Sequence, residues 1–233
     1  MRPTKKQDYI KQAQKRIAKI VSDKFQNYYL TGGTALAFYF GHRFSEDLDF
    51  FTQNYKKEEP DKIMNHIGRR TGFKFSLESE QNRRGLVPMK VYFLELKDDF
   101  ILKIDFVQDF AVNLKPIGNG VHSRDDIYYR KIIAAVGTAT KETAVGRMVP
   151  TGRQSAKDLF DIYYLSRNFI RLSDFFPEYF PYNKSEQLAD WYRGYDRMEL
   201  KMEIRRLVPH ADAGIILRYL DNEILKVLPR KIR

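Results

Sequence analysis

Apolar residues recur at helical spacing from the start of the chain. Ile10, Ala13, Ile17, Ile20, Val21 and Phe25 are separated by lysines and glutamines, which predicts an amphipathic helix. Residues 27–31 read as a short extended entry. Residues 34–40 read as a second helix opening just after two glycines, and 48–52 as a strand. Ile63, Met64 and Ile67 return to helical spacing over residues 60–70. Three strand-like runs follow, at 73–77, 89–96 and 100–107. The last two are joined by KDD, a polar hairpin-type connection, and a meander with the strand at Leu48 is expected. KPIGNGVHSRD (115–125) carries one proline and two glycines and is the expected boundary. Beyond it the pattern is helical, over 125–136, 154–168, 185–195, 200–207 and 213–227. No internal repeat or low-complexity tract is found. The expectation is an α+β chain, with an α/β domain over residues 1–118 and a helical domain over 119–233.

Composition adds few constraints. With 43% apolar and 30% charged residues the chain is ordinary for a globular protein, and 14% aromatic content is high. The net charge of +11 is spread evenly, with 21 basic against 15 acidic residues up to Pro116 and 20 against 15 after it. Such a diffuse positive field favours a polyanion such as nucleic acid but locates no face, and solubility alone is the competing explanation. The absence of cysteine excludes disulfides and thiolate metal sites and agrees with a reducing compartment. MRPTKKQDYIKQAQKRIAKIV lacks a signal-peptide core, and no window approaches the ~20 apolar residues of a membrane span. A cytoplasmic protein with no membrane partner is expected.

The candidate chemistry lies in YLTGGTALAFYFGHRFSEDLDFFT, from Tyr29 to Thr52. Glycines let backbone N–H groups approach a ligand closely, and a helix starting there adds unsatisfied donors and the positive end of its dipole. Gly32-Gly33-Thr34 is therefore either a tight turn or a phosphate cradle, with the Thr34 hydroxyl as a further donor. It is neither a Walker motif nor GxGxxG. On a strand, Asp47 and Asp49 share a face with Cα atoms roughly 6.6 Å apart. Their carboxylates suit divalent ions of the kind found ~3.5–4 Å apart in two-metal sites. The alternative, an edge strand carrying protective charges, fits poorly with Phe50 and Phe51 next to them. The turn GHRFSE can return Leu48 beside the strand leading into Gly32. The glycines would then hold a triphosphate and the aspartates the Mg²⁺ that bridges it. A third acid is available in KIDFV, where Lys103 and Asp105 share one strand face and Ile104 and Phe106 the other. In isolation that is an ordinary polar face; beside the aspartate pair it becomes a third ligand.

In the second half, Arg153, Lys157 and Asp161 would align at i, i+4 and i+8 of a helix, with Asp158 beside them. A solvated, salt-bridged face is the alternative, although Lys before Asp is the less favourable order. The four histidines (His42, His66, His122, His210) are scattered without HExxH and are expected at the surface or at caps. No GxSxG elbow is present. DFFPEYFPY and ADWYRGY read as helix-packing core, with base stacking as the competing role.

Taken in order, TGG, thirteen residues, DLDFF and then KIDFV resemble the polymerase-β-type nucleotidyltransferase pattern. More narrowly, GGTALAFYFGHRFSEDLDFF followed by RQSAKDLFDIYYL resembles the nucleotidyl transferase AbiEii toxin family of bacterial toxin–antitoxin and phage-defence systems, over residues 28–165. The resemblance implies a nucleotidyltransferase α/β domain with a mixed sheet, followed by a helical domain contributing basic active-site residues. It places Mg²⁺ (or Mn²⁺) on Asp47 and Asp49, with Asp105 as the third acid, and nucleotide phosphates on Gly32, Gly33 and Thr34. Arg43 would favour an anionic substrate, Lys157 and Asp161 would belong to the active site, and Lys131 would be a second triphosphate contact. Arg153 and Asp158 complete the nucleotide-binding set. The implied activity is transfer of a nucleoside monophosphate from an NTP to a hydroxyl of RNA, such as the 3′ end of tRNA, with an antitoxin as cognate partner. Modification of a protein or small molecule, and a non-catalytic nucleotide- or RNA-binding module, are the alternatives.

Overall fold

The computed structural model describes residues 4–97, 100–137, 139–142 and 148–229, in two compact units, Met1–Ile127 and Tyr128–Arg233. The KDD connection falls partly outside these residues, at Asp98 and Asp99.

In the first unit, α1 (Lys5–Lys24) opens on a capping box between Thr4 and Gln7 and buries Ile10, Ala13, Ile17 and Val21. It is followed by β1 (Tyr29–Thr31), α2 (Gly32–Phe40), β2 (Leu48–Thr52), α3 (Glu59–Thr71), β3 (Phe75–Gln81), β4 (Met89–Glu95) and β5 (Ile101–Gln108). The glycines belong to α2 rather than preceding it, so the first helical turn itself is Gly32-Gly33-Thr34.

The five strands form one mixed sheet in the order β1-β2-β5-β4-β3. The expected meander holds only for β3, β4 and β5, which pair antiparallel. β2 instead lies parallel to β5. The chain leaves β2 through α3, crosses to the far edge and returns, so the sheet closes where apolar partners meet. Phe50 and Phe106 stand in register and are fully buried, their rings stacked at 5.6 Å. β3 starts two residues later than its composition suggests and runs to Gln81. It is an edge strand with both faces largely exposed, so no burial pattern marks its limits.

α4 (Arg124–Val136) carries the division between the units. The second unit continues with β6 (Ala139–Glu142) and β7 (Met148–Thr151), then α5 (Ala156–Asn168), α6 (Leu172–Tyr179), α7 (Asn183–Arg193), α8 (Arg197–Leu207) and α9 (Ala213–Val227). The antiparallel β6–β7 pair corrects the all-helical expectation. Its strands have four residues each, and Pro150 in β7 argues against a strand when read locally. α6 was also not expected, since Pro177 interrupts its pattern. Its aromatic residues are core: Phe175 stacks on Tyr128 at 4.4 Å, and Phe176 on Phe180 at 4.9 Å. Trp191 and Tyr192 are buried too, and the Tyr192 hydroxyl donates to the Leu217 carbonyl. No helix among the described residues is long and apolar enough to cross a membrane.

Candidate active site

Three strands bring the glycine turn and the acids into one row. Thr31 on β1 stands opposite Asp49 on β2, and Asp49 opposite Asp105 on β5. Gly32 follows Thr31 with φ +71°, in the left-handed region, and a Cβ there would come within 2.7 Å of Asp49 Oδ2. Both constraints demand glycine. A Cβ on Gly33 would collide with the guanidinium of Arg43. The start of α2, whose first-turn N–H groups have no intrahelical partner, thus lies directly against the Asp49 carboxylate and the buried Arg43.

Asp47 sits one residue before β2, in the returning turn. That turn is tied down from three sides. The Thr34 hydroxyl donates to the Asp47 carbonyl, Arg43 Nη1 to the Phe44 carbonyl at 3.1 Å, and Gln14 Nε2 to the Ser45 carbonyl at 2.9 Å. Thr34 is buried, and in this structure its hydroxyl proton goes to the main chain rather than outward. The sequence signal for Gln14 is its place as the polar member of the α1 stripe formed by Ile10, Ala13, Ile17 and Val21.

Asp105 is 8% exposed. Its Oδ2 accepts from Lys103 Nζ at 2.6 Å, and its Oδ1 is buried with no hydrogen-bond partner. Burial, reinforced by the charge of Asp47, outweighs Lys103 and pushes the Asp105 carboxyl above the usual carboxylate range. Lys103 shows the opposite balance. Desolvation works against its ammonium, but Asp105, Asp47 and Asp49 together outweigh it and raise its pKa. Among the described residues no group of three or more His, Cys, Asp or Glu side chains is placed to hold a metal ion. An open set of hard carboxylate oxygens with one orphaned buried oxygen still fits Mg²⁺ or Mn²⁺, because such ions are commonly held by one or two carboxylates plus substrate phosphates.

Behind the glycine turn lies His122, expected at the surface or at a cap but fully buried. Its Nδ1 is 2.9 Å from the Thr31 hydroxyl, its Nε2 is 3.2 Å from Asn113 Oδ1, and its ring packs on Tyr29. The expectation failed because only the tertiary fold lays residues 118–122 alongside β1, through Leu30 N–H to the Gly120 carbonyl and His122 N–H to the Leu30 carbonyl.

In the second unit the stripe of Arg153, Lys157 and Asp161 does not form, because α5 begins only at Ala156. Asp158 and Asp161 face inward at i and i+3, on the same side as Ile162 and Leu165. Lys131, on α4, is buried against both, at 2.6 Å from Asp158 and 2.8 Å from Asp161. Burial opposes its charge, but Asp161 and Asp158 prevail and its pKa is raised. Arg153 Nη2 reaches Asp158 from the exposed side at 2.6 Å. Its backbone is fixed by Gly152, packed too tightly against the Ala135 carbonyl for any Cβ, and by its own N–H to the Ala134 carbonyl. Lys157 is exposed and lines a separate cleft with Gln154, Ser155, Glu203 and Arg206.

Lys131→Met is accordingly expected to leave Asp158 held by Arg153 and Asp161 buried without its lysine, and to cost about 3–5 kcal/mol in urea denaturation. Adding Asp161→Asn should recover part of that loss. Unchanged stability with weaker NTP binding would instead make Lys131 a substrate contact.

The chain is similar to known proteins. A protein of Aquifex aeolicus (strain VF5), aq_aa25, is 25% identical over 213 residues, covering 90% of this chain and 81% of that one. The crystal structure of JHP933 from Helicobacter pylori superposes with a TM-score of 0.62 at 18% identity, covering 96% of this chain and 92% of that chain. A candidate nucleotidyltransferase of H. pylori gives the same TM-score and identity over 97% and 96%. At these identities the two structures establish the fold. A model of the family described as nucleotidyl transferase AbiEii toxin, type IV toxin–antitoxin system, matches residues 18–213, which include the glycine turn, all three acids and the α5 motif. The chain belongs to the AbiEii family of nucleotidyl transferase toxins.

Proposed function

We propose that this chain is a metal-dependent transferase that moves a nucleoside monophosphate from an NTP to an acceptor hydroxyl of RNA, the 3′ end of tRNA being the favoured acceptor. The observation that carries the reading is the position of Asp49, between the Gly32 turn on one side and Asp105 on the other. In this reading the N–H groups opening α2 and the Arg43 guanidinium hold phosphate oxygens. Asp47 and Asp49, with Asp105, would hold Mg²⁺ or Mn²⁺, which supplies Lewis-acid stabilisation of the phosphoryl oxygens. The acceptor oxygen bonds to the α-phosphorus, the bond to the bridging α–β oxygen breaks, and pyrophosphate leaves. The hydroxyl proton passes to Asp105, the carboxylate whose Oδ1 has no hydrogen-bond partner.

The reading keeps residues 1–118 as the transfer domain and 119–233 as a helical domain that supplies cations. Lys131 anchors Asp158 and Asp161, while the exposed Arg153 and Lys157 bind anionic substrate. Lys157→Ala is therefore expected to raise KM for NTP several-fold with a smaller effect on kcat, measured by steady-state incorporation. Loss of RNA binding with KM unchanged would move Lys157 to the acceptor. The biological setting assigned is a cytoplasmic toxin that arrests growth, paired with an antitoxin, in a toxin–antitoxin or phage-defence system.

The test is incubation of the purified chain with each labelled NTP, a divalent cation and total cellular RNA. Label in tRNA-sized RNA supports the proposal. Label in protein or a small molecule shifts the acceptor, and NTP binding with no transfer leaves a non-catalytic module.

A further inference from the structure

Some cations of the first unit are paired with acids and others are not. Lys19 is paired with Asp23, Lys57 with Glu80, and Lys90 with Asp61. Arg16, Lys24, Lys62, Arg69 and Arg70 form no ion pair among the described residues, and all five are exposed on α1 and α3. The two helices pack side by side. At one end Arg16 Nη2 donates to the Arg70 carbonyl at 2.8 Å. Toward the other, Lys24, Phe25, Lys62, Asn65 and Arg69 line a cleft of about 470 Å³. Phe25 meets His66 edge to face at 5.8 Å, and Lys24 lies over the Phe25 ring.

We propose that this α1–α3 face is the docking surface for the phosphate backbone of the RNA acceptor. The inference rests on the RNA reading above and gives that RNA a place on the fold. Five unpaired like charges on two adjacent helices repel one another, and a polyanion relieves that repulsion while releasing its own counterions. From Arg16 to Lys24 the face spans ~12 Å at 1.5 Å per residue. Phe25 and His66 offer planar surfaces among the cations, the combination that suits a nucleic acid better than a lipid headgroup layer. α1 also reaches the candidate active site, through Gln14 to the Ser45 carbonyl, so one helix carries both features. His66 provides a reporter. Partial desolvation, followed by the charges of Lys24, Arg69 and Arg70, holds its pKa below the ordinary histidine value. A phosphate seated among those cations should move it upward.

The experiment uses the full chain without NTP or divalent cation, a fluorescein-labelled tRNA transcript, and the double variant Lys62→Glu/Arg69→Glu. Both side chains are exposed, so the fold should survive, and the milder Lys24→Ala/Lys62→Ala serves if it does not. At ~0.1 M salt the charge reversal is expected to weaken RNA binding by roughly thirty-fold or more and to lower the log–log salt slope by about 1.5. Mg-NTP affinity, measured by calorimetry, should be unchanged. NMR titration of wild type should show the His66 pKa rising when RNA is added. Wild-type RNA affinity and salt slope in the variant would overturn the surface and leave the RNA reading standing. A wild-type chain that binds no RNA at all would overturn both. Weakened binding to phosphatidylserine vesicles with RNA binding intact would make the face a membrane contact and end the proposal.

Discussion

Asp49→Asn, and separately Asp47→Asn, are expected to reduce nucleotidyl transfer by about a thousand-fold or more, ~4 kcal/mol at 1.36 per decade, while leaving the fold intact. Asparagine keeps the shape that packs against Gly32 but removes a charged oxygen donor from the proposed metal ligands. No cavity opens, and Asp49 stands in register with Asp105, so losing one of two neighbouring carboxylates relieves repulsion. For Asp47 the argument is stronger still. The bonds that hold its turn, from Thr34 and Gln14, go to main-chain carbonyls and are untouched by the substitution. Single-turnover incorporation with saturating Mg²⁺ gives the rate, and thermal melting gives the fold. Full activity in Asp49→Asn would end the metal assignment.

Asp105→Asn is expected to retain Mg-NTP binding but lose transfer by at least a hundred-fold, about 2.7 kcal/mol. The orphaned Oδ1 becomes part of an amide with no capacity to take a proton. Calorimetry of NTP binding beside single-turnover incorporation separates the two effects. If both fall together, Asp105 belongs to the nucleotide-bound metal. Two other acids are already engaged. Asp126 accepts from the N–H groups of Leu114 and Lys115 and from Ser123, and Asp158 is held by Lys131 and Arg153.

The same variant has a stability signature. Because the folded pKa of Asp105 is raised, its contribution is most favourable below the unfolded value near 3.8 and is lost as pH rises through the folded pKa. Asp105→Asn should therefore melt at a higher temperature than wild type near pH 7 without divalent ions, with the gain vanishing toward pH 4. Lys103 loses its partner but is exposed enough to be resolvated.

Much of the candidate site was legible because its signals are local. Gly32-Gly33-Thr34 announces a helix start, Asp47 and Asp49 differ by two positions, and Asp105 breaks an apolar strand. The helices themselves were legible for the same reason, since periodicity acts within a few residues, although α8 begins at Arg197 rather than Leu200. Where the pattern was short or carried proline, as in β7 and α6, local reading failed.

What the sequence determined by itself is what backbone periodicity and neighbouring residues decide: the elements, the family motifs, and which residue types could do the chemistry. Tertiary structure alone decided which groups meet. β2 chose β5 as a parallel neighbour through the burial of Phe50 against Phe106, and that pairing set Asp49 beside Asp105. Burial turned Lys131 inward to Asp158 and Asp161 while Lys157 stayed in solvent, although nothing local distinguishes the two lysines. It also drew His122 across ninety-one positions to the Thr31 hydroxyl. Desolvation and through-space charge depend on packing between segments distant in the chain, and no local pattern encodes them.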